Sequence, residues 1–317
     1  MLKVEHVSKR YERKLAVDDL SFEIPAGHIC GFIGPNGAGK STTMNMITGY
    51  LPATSGTITI DGLDVRSDLT AYRRSFGYLP EIPPLYMDML VRDYLHFVHE
   101  AKGLPKALRA EQVRRAMERT AIDGVQGRLI RNLSKGYKQR VGIAQAILDD
   151  PKLIILDEPT IGLDPTQILQ IRTLLRELRG EHTVLLSSHI LSEIAEVCDE
   201  VVLIHHGRIV ASGSEQALIA ENCPERNVLL RMARRLDEAA LAALRTAPGV
   251  VGITEAADCR YEIAVRGGTE AGGKLAAALG SRASEICELT LQSVTLEDVF
   301  LRLIRKNEAQ DAMEESR

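Results

Sequence analysis

The segment Gly34-Pro35-Asn36-Gly37-Ala38-Gly39-Lys40-Ser41 leaves the first third of this chain little freedom. A glycine, four residues, then glycine, lysine and a hydroxyl is the spacing of a loop that cradles phosphate groups. Glycines allow successive backbone N–H groups to turn inward toward an anion. Lys40 is then placed to reach β- and γ-phosphates, and the Ser41 hydroxyl to ligate Mg²⁺. Such a loop belongs between a buried strand and a helix whose N-terminus faces the phosphates. Both flanks agree: His28-Ile29-Cys30-Gly31-Phe32-Ile33 reads as a short buried strand and Thr42 to Thr48 as the helix. The chemistry stays open, because kinases, GTPases, motors and transport ATPases share the loop.

Further along, Leu153-Ile154-Ile155-Leu156 is an apolar strand ending in Asp157-Glu158. Side chains alternate across a strand, so the two carboxylates face different ways and take different parts. Asp157 suits a Mg²⁺ shell. Glu158 suits the base that orients and polarises a water against a γ-phosphate. Between loop and strand lies Leu133-Ser134-Lys135-Gly136-Tyr137-Lys138-Gln139-Arg140, which runs into a helical pattern with Ala144, Ile147 and Leu148 on one face. Ser134 and Gly136 sit at its anion-ready N-terminus, a second phosphate half-site. Two copies placed head to tail would complete two sites.

LSKGYKQ resembles the LSGGQ signature of ATP-binding cassette (ABC) ATPases, with Lys135, Tyr137 and Lys138 departing from it. The order of phosphate loop, signature and Asp157-Glu158 is that family's order. Gly162-Leu163-Asp164-Pro165 resembles its D-loop. His189, after Thr183-Val184-Leu185-Leu186, resembles its switch histidine, and Tyr11 in Val7-Ser8-Lys9-Arg10-Tyr11 its adenine-stacking aromatic. The likeness spans roughly residues 1–222. It implies an α/β P-loop NTPase cassette, with a mixed core sheet, flanking helices and a helical subdomain at about 86–150. It also implies catalytic roles for Glu158 and His189. Nucleotide contacts would come from Tyr11, Gly34, Pro35, Asn36, Gly37, Ala38, Gly39, Lys40, Ser41, Thr42, Ser134, Gly136 and Asp164. Metal contacts would come from Ser41, Glu81 and Asp157. ATP and Mg²⁺ are the expected cofactors. A head-to-tail dimer of the chain and an integral membrane permease are the expected partners, with Arg73, Arg74 and the loop at 80–86 near the docking surface.

One position departs from the family. A glutamine is expected after the strand Phe76-Gly77-Tyr78-Leu79-Pro80, and Glu81 stands there. A carboxylate still ligates Mg²⁺, more strongly than an amide, but adds negative charge near the γ-phosphate. The segment 78–86 resembles bacterial ABC-2-type exporter ATPases, including gliding-motility-associated and copper-processing subunits.

Composition bounds the rest. The net charge of −4 offers no basic field for nucleic acid. Cys30, Cys198, Cys223, Cys259 and Cys287 lie scattered without a CxxC, as small residues of a reducing compartment. Met1-Leu2-Lys3-Val4-Glu5 enters a strand directly, without signal-peptide character. No apolar stretch nears the roughly 18–20 residues that span a bilayer. A cytoplasmic subunit, peripheral on the inner face of the plasma membrane, follows as the expectation.

The character changes near Asn222-Cys223-Pro224-Glu225. Strands are expected at 227–232, 250–254, 260–265 and 286–291, with Asp258-Cys259 in a turn, and helices at 236–245, 273–279 and 296–304. The order β-α-β-β-α-β-α suggests a small α+β ferredoxin-like module at 226–305. The charged stretch 306–317 is expected to be disordered. The module holds no catalytic constellation; regulation or dimer support, ligand sensing and passive packing stay open for it. Two rivals to a transport ATPase also stay open: a soluble ABC ATPase working on a macromolecule, and a low-turnover nucleotide-gated subunit. The short spacing from Lys40 to Ser134, without sustained heptads, speaks against the coiled-coil DNA-repair type.

Overall fold

The computed structural model describes residues 1–12, 14–191, 196–256, 259–266 and 270–315, with backbone only for 308–315. The chain divides into two units, Met1–Glu215 and Gln216–Arg317. The first unit opens with an antiparallel sheet ordered β2-β1-β4-β5, from β1 (Leu2–Tyr11), β2 (Lys14–Ile24), β4 (Ser55–Ile60) and β5 (Leu63–Asp64). The second sheet contains β3 (Ile29–Ile33), β6 (Phe76–Leu79), β7 (Leu153–Leu156), β8 (Thr183–Ser188), β9 (Glu200–His205) and β10 (Arg208–Gly213). Its order is β10-β9-β3-β8-β7-β6, parallel except for the β9–β10 hairpin. Every residue of β3, β7 and β8 is buried. Unbroken buried runs of this kind mark parallel strands covered on both faces. The mixed α/β cassette expected of the sequence is therefore present.

Helix α1 (Lys40–Ile47) leaves the loop after β3, and α2 (Leu69–Arg74) precedes β6. The helical block holds α3 (Val91–Ala101), α4 (Arg109–Arg119) and α5 (Lys135–Ile147). Helix α3 buries Val91, Tyr94, Leu95 and His99, the spacing of one helical face. Helix α5 lies directly on β6. A Cβ on Gly77 would stand 1.8 Å from the Ala146 carbonyl oxygen, and one on Gly142 2.5 Å from Leu79 Cδ1. Bare backbone at both points lets the helix sit close enough to fix where its N-terminus emerges. Helix α6 (Pro165–Leu178) then connects β7 to β8.

The second unit begins with α7 (Glu215–Asn222), a helix that the sequence reading grouped with the first. Then follow β11 (Glu225–Met232), α8 (Glu238–Arg245), β12 (Val250–Ala256), β13 (Arg260–Arg266), α9 (Ala271–Leu279), β14 (Ile286–Leu291) and α10 (Leu296–Glu315). The sheet order β12-β13-β11-β14, antiparallel throughout, is that of a ferredoxin-like β-α-β-β-α-β unit. Val228, Leu230, Tyr261, Ile263 and Val265 from the sheet meet Leu241, Leu244, Leu275 and Leu279 from the two helices in one core. Asp258, expected in the β12–β13 turn, lies outside the described residues. Helix α10 runs from Leu296 to Glu315, into the charged stretch at 306–317. Lys306, Glu308, Ala309, Gln310 and Ala312 are good helix formers, and propagation of a started helix is easier than nucleation.

Replacing Gly77 by alanine drives a methyl group into the α5 backbone. The Gly77→Ala protein is expected to lose at least about 1–3 kcal/mol, the usual penalty of an overpacked core. Urea unfolding measures this; an unchanged midpoint would mean that α5 slides freely over β6.

Candidate functional site

A cavity of about 690 Å³ opens above the β3–α1 loop, lined by Tyr11, Lys14, Asn36, Gly37, Gly39, Lys40, Ser41, Thr42, Glu81, Glu158, His189 and His206, among others. Gly39 has φ 111 and ends the loop; a Cβ there would stand 2.9 Å from the Ala16 carbonyl oxygen. Helix α1 begins at Lys40 with no side chain capping it, so its first N–H groups remain for an anionic guest. The Lys40 ammonium is buried, donates to the Gly34 carbonyl at 2.8 Å and faces Glu158 Oε1 at 3.4 Å.

The carboxylate pair departs from the strand-alternation argument. Strand β7 stops at Leu156, and Glu158 adopts a left-handed backbone with φ 48. A turn, rather than the pleat, separates the two side chains. Glu158 Oε2 lies 2.8 Å from His189 Nδ1, so this carboxylate is held between the lysine of the loop and the histidine after β8. Ser187, absent from the sequence reading, ties the pair together: its hydroxyl donates to Asp157 Oδ1 and accepts from the Glu158 N–H at 2.9 Å. Its sequence signal was weak, a lone serine two positions before His189.

Asp157 does not line the cavity; it is buried in the layer behind it. Burial pushes its carboxyl above the usual carboxylate range, the Ser187 hydrogen bond opposes this, and the charges of Glu158 and Glu81 push it further up. Ser41 and Glu81, the other residues expected at a metal, are both at the cavity wall. Hydroxyl and carboxylate oxygens are the hard donors that Mg²⁺ takes. With Asp157 charged behind them, a cation would offset three clustered carboxylates.

Tyr11, in the same lining, is half exposed, with the Lys9 ammonium 5.3 Å from its ring centroid. His206 and Lys14 also line the cavity. The turn at His206 and Gly207 is pinned: the Gly207 N–H donates to Ala38 O at 2.9 Å, and the Asp18 N–H to Gly207 O at 2.8 Å.

Ser134, Gly136 and Asp164 do not join this cavity. They line another, of about 470 Å³, with Tyr137, Arg140 and Gln167. Ser134 caps α5 by accepting from the Tyr137 N–H, and Asp164 caps α6 by accepting from the Gln167 N–H at 2.9 Å. Gly136 lies so near the Gln167 amide that a Cβ on it would stand 2.5 Å from Gln167 Cδ. The Lys135 ammonium reaches over Gly162, where a Cβ would be 2.1 Å from its Nζ. Phosphate loop and signature thus occupy two separate concavities of one chain.

Comparison with known proteins gives four findings of weight. A model of the ABC transporter family matches residues 17–161. YxlF of Bacillus subtilis, an ABC transporter ATP-binding protein, is 38% identical over 218 residues, which is 69% of this chain and 72% of that one. The linearmycin resistance ATP-binding protein LnrL of the same organism is 29% identical over 305 residues, 96% of this chain and 98% of its own, so the likeness runs through both units. Among solved structures, cbiO1 of Clostridium perfringens, part of the ABC transporter complex cbiONQ, is 31% identical with a TM-score of 0.64, over 69% of this chain and 90% of that one.

The buried Asp157 yields a test of the site's electrostatics. A carboxyl whose pKa rises on folding adds stability at low pH that is lost as pH rises through the folded value. Asp157→Asn should therefore raise the melting temperature of nucleotide-free protein at neutral pH. The gain should shrink as pH falls toward about 4, the ordinary carboxylate pKa. Melts across that range check it; a gain that stays constant with pH would exclude the ionised carboxylate as its source.

Proposed function

This chain belongs to the ABC transporter ATP-binding family, and from that premise we propose that it is the ATP-hydrolysing subunit of an exporter, working as a dimer on a separate membrane permease. The observation that carries the reading is the grip on Glu158, set between Lys40 and His189 over the phosphate loop. In this reading ATP lies along the cavity, its base against Tyr11 and its phosphates on the loop from Gly34 to Thr42. Lys40 exchanges part of its contact with Gly34 O and Glu158 for the β- and γ-phosphates. The freed Glu158 carboxylate takes a proton from the attacking water as it closes on the γ-phosphorus, and the bond to the bridging β–γ oxygen breaks. His189 keeps Glu158 aimed. Mg²⁺, held by Ser41 and Glu81 with Asp157 behind them, would neutralise phosphate charge.

Separation of the two concavities supports a shared site. A signature helix whose N-terminus is capped only by the Ser134 hydroxyl gains a function when it faces the phosphates of a second copy. Among the described residues no helix is long and apolar enough to cross a membrane, so transport would need a membrane-embedded partner. That partner would put this chain at the inner face of the plasma membrane. The resistance named for LnrL favours export. Within the exporters, the segment at 78–86 favours the ABC-2 type exemplified by gliding-motility-associated and copper-processing subunits.

Glu158→Gln keeps the shape and removes the base. It should retain ATP binding, lose on the order of 10²–10⁴-fold in turnover, and trap an ATP-bound dimer on size exclusion. Near wild-type hydrolysis would remove Glu158 from the role. Ser134→Arg should abolish hydrolysis while sparing ATP affinity. Mixed with Lys40→Ala protein, it should regain activity, because one site in each mixed dimer is whole. No recovery in mixtures whose subunits demonstrably exchange would refute site sharing.

A further inference from the structure

The second unit contains its own cavity, of about 560 Å³, between the ends of β11 and β13, the segment 292–294 and the first turns of α10. Drug-sized ligands occupy spaces of this volume. Its charged lining is Glu225, Asp298, Arg302 and Arg305, which would cancel if all four were available. They are not equally available. Glu225 is bound by the Arg266 guanidinium at 2.8 Å and 3.2 Å. Asp298 is bound by the Thr295 N–H and hydroxyl, each at 2.9 Å, where it closes the start of α10. Arg302 and Arg305 have no hydrogen bond or ion pair to another described residue. Three positions apart on one helix, their guanidinium groups are neighbours on the same face. With Glu225 neutralised by Arg266, two guanidinium groups stand against the one charge of Asp298, so the field left in the cavity is positive and presents paired N–H forks, the geometry that binds phosphoryl or carboxylate oxygens bidentately. Asn227, Gln292 and Ser293 add neutral polar groups, and Ala264, Val294 and Leu301 an apolar wall.

We propose that this cavity binds a small anionic organic ligand through Arg302 and Arg305, which would make the C-terminal unit a ligand sensor. The acidic residues serve as internal struts, and the two arginines are left for the guest.

The test uses the full chain with Lys40→Ala, which weakens the phosphate loop as a competing site, and inorganic pyrophosphate as the probe. Calorimetric titration at constant ionic strength should show a binding event. Adding Arg302→Gln and Arg305→Gln should weaken it at least about tenfold, the worth of lost charged hydrogen bonds. Adding Arg260→Gln, at the far end of β13, should leave it unchanged. No heat in the parent, an unchanged isotherm in the double glutamine variant, or equal weakening by Arg260→Gln would each overturn the proposal. Both arginines are exposed, so the variants should keep the parent's circular dichroism and, with Lys40 restored, its basal ATPase.

Discussion

Two adjacent carboxylates, both nearly sealed from water, repel each other, and much of the cassette is arranged around holding them. Ionised carboxylates pay heavily for burial unless each is matched by donors or cations. Here a single hydroxyl, Ser187, serves both Asp157 and the Glu158 backbone, while Lys40 and His189 approach Glu158 from opposite elements. Three strands have to end in register for this to happen. Strand β3 delivers the loop, β7 the carboxylates and β8 the serine and histidine, and all three are parallel neighbours in the sheet. Ligands gather at the carboxyl ends of such strands because side chains from several strands converge there without competing for backbone partners.

Signals written in local spacing were legible. The glycine pattern of the phosphate loop, the apolar runs that became β7 and β8, and the β-α-β-β-α-β order of the second unit depend on neighbours in sequence. So do the end positions of Asp157 and His189. Features that depend on where a backbone bends or what a fold brings near were not legible. Glu158 reaches its place through a left-handed turn, which no strand pattern announces. Ser187 matters only because β8 lies beside β7. His206 gains a position at the cavity because Gly207 is bonded to Ala38, a contact made across most of the chain's length. The final helix is anchored by the buried Leu296, Val299, Phe300 and Leu303 of its first turns, a pattern local spacing does show.

Glu81 shows how a departure from a family pattern is absorbed. Its carboxylate stands at the cavity wall, and its charge is felt by Asp157 in the layer behind. An amide there would leave Asp157 easier to ionise. The substitution therefore acts on a neighbour as well as on any ligand in the cavity, and the local charge is more negative than the family's usual glutamine would leave it.

The contact of Gly136 with the Gln167 amide joins the start of α5 to the first turn of α6 across a gap too small for a methyl group. A side chain at position 136 is tolerable where position 167 shrinks or turns away. A methyl group at 136 would therefore oblige the Gln167 amide to swing away, and with it one wall of the signature concavity.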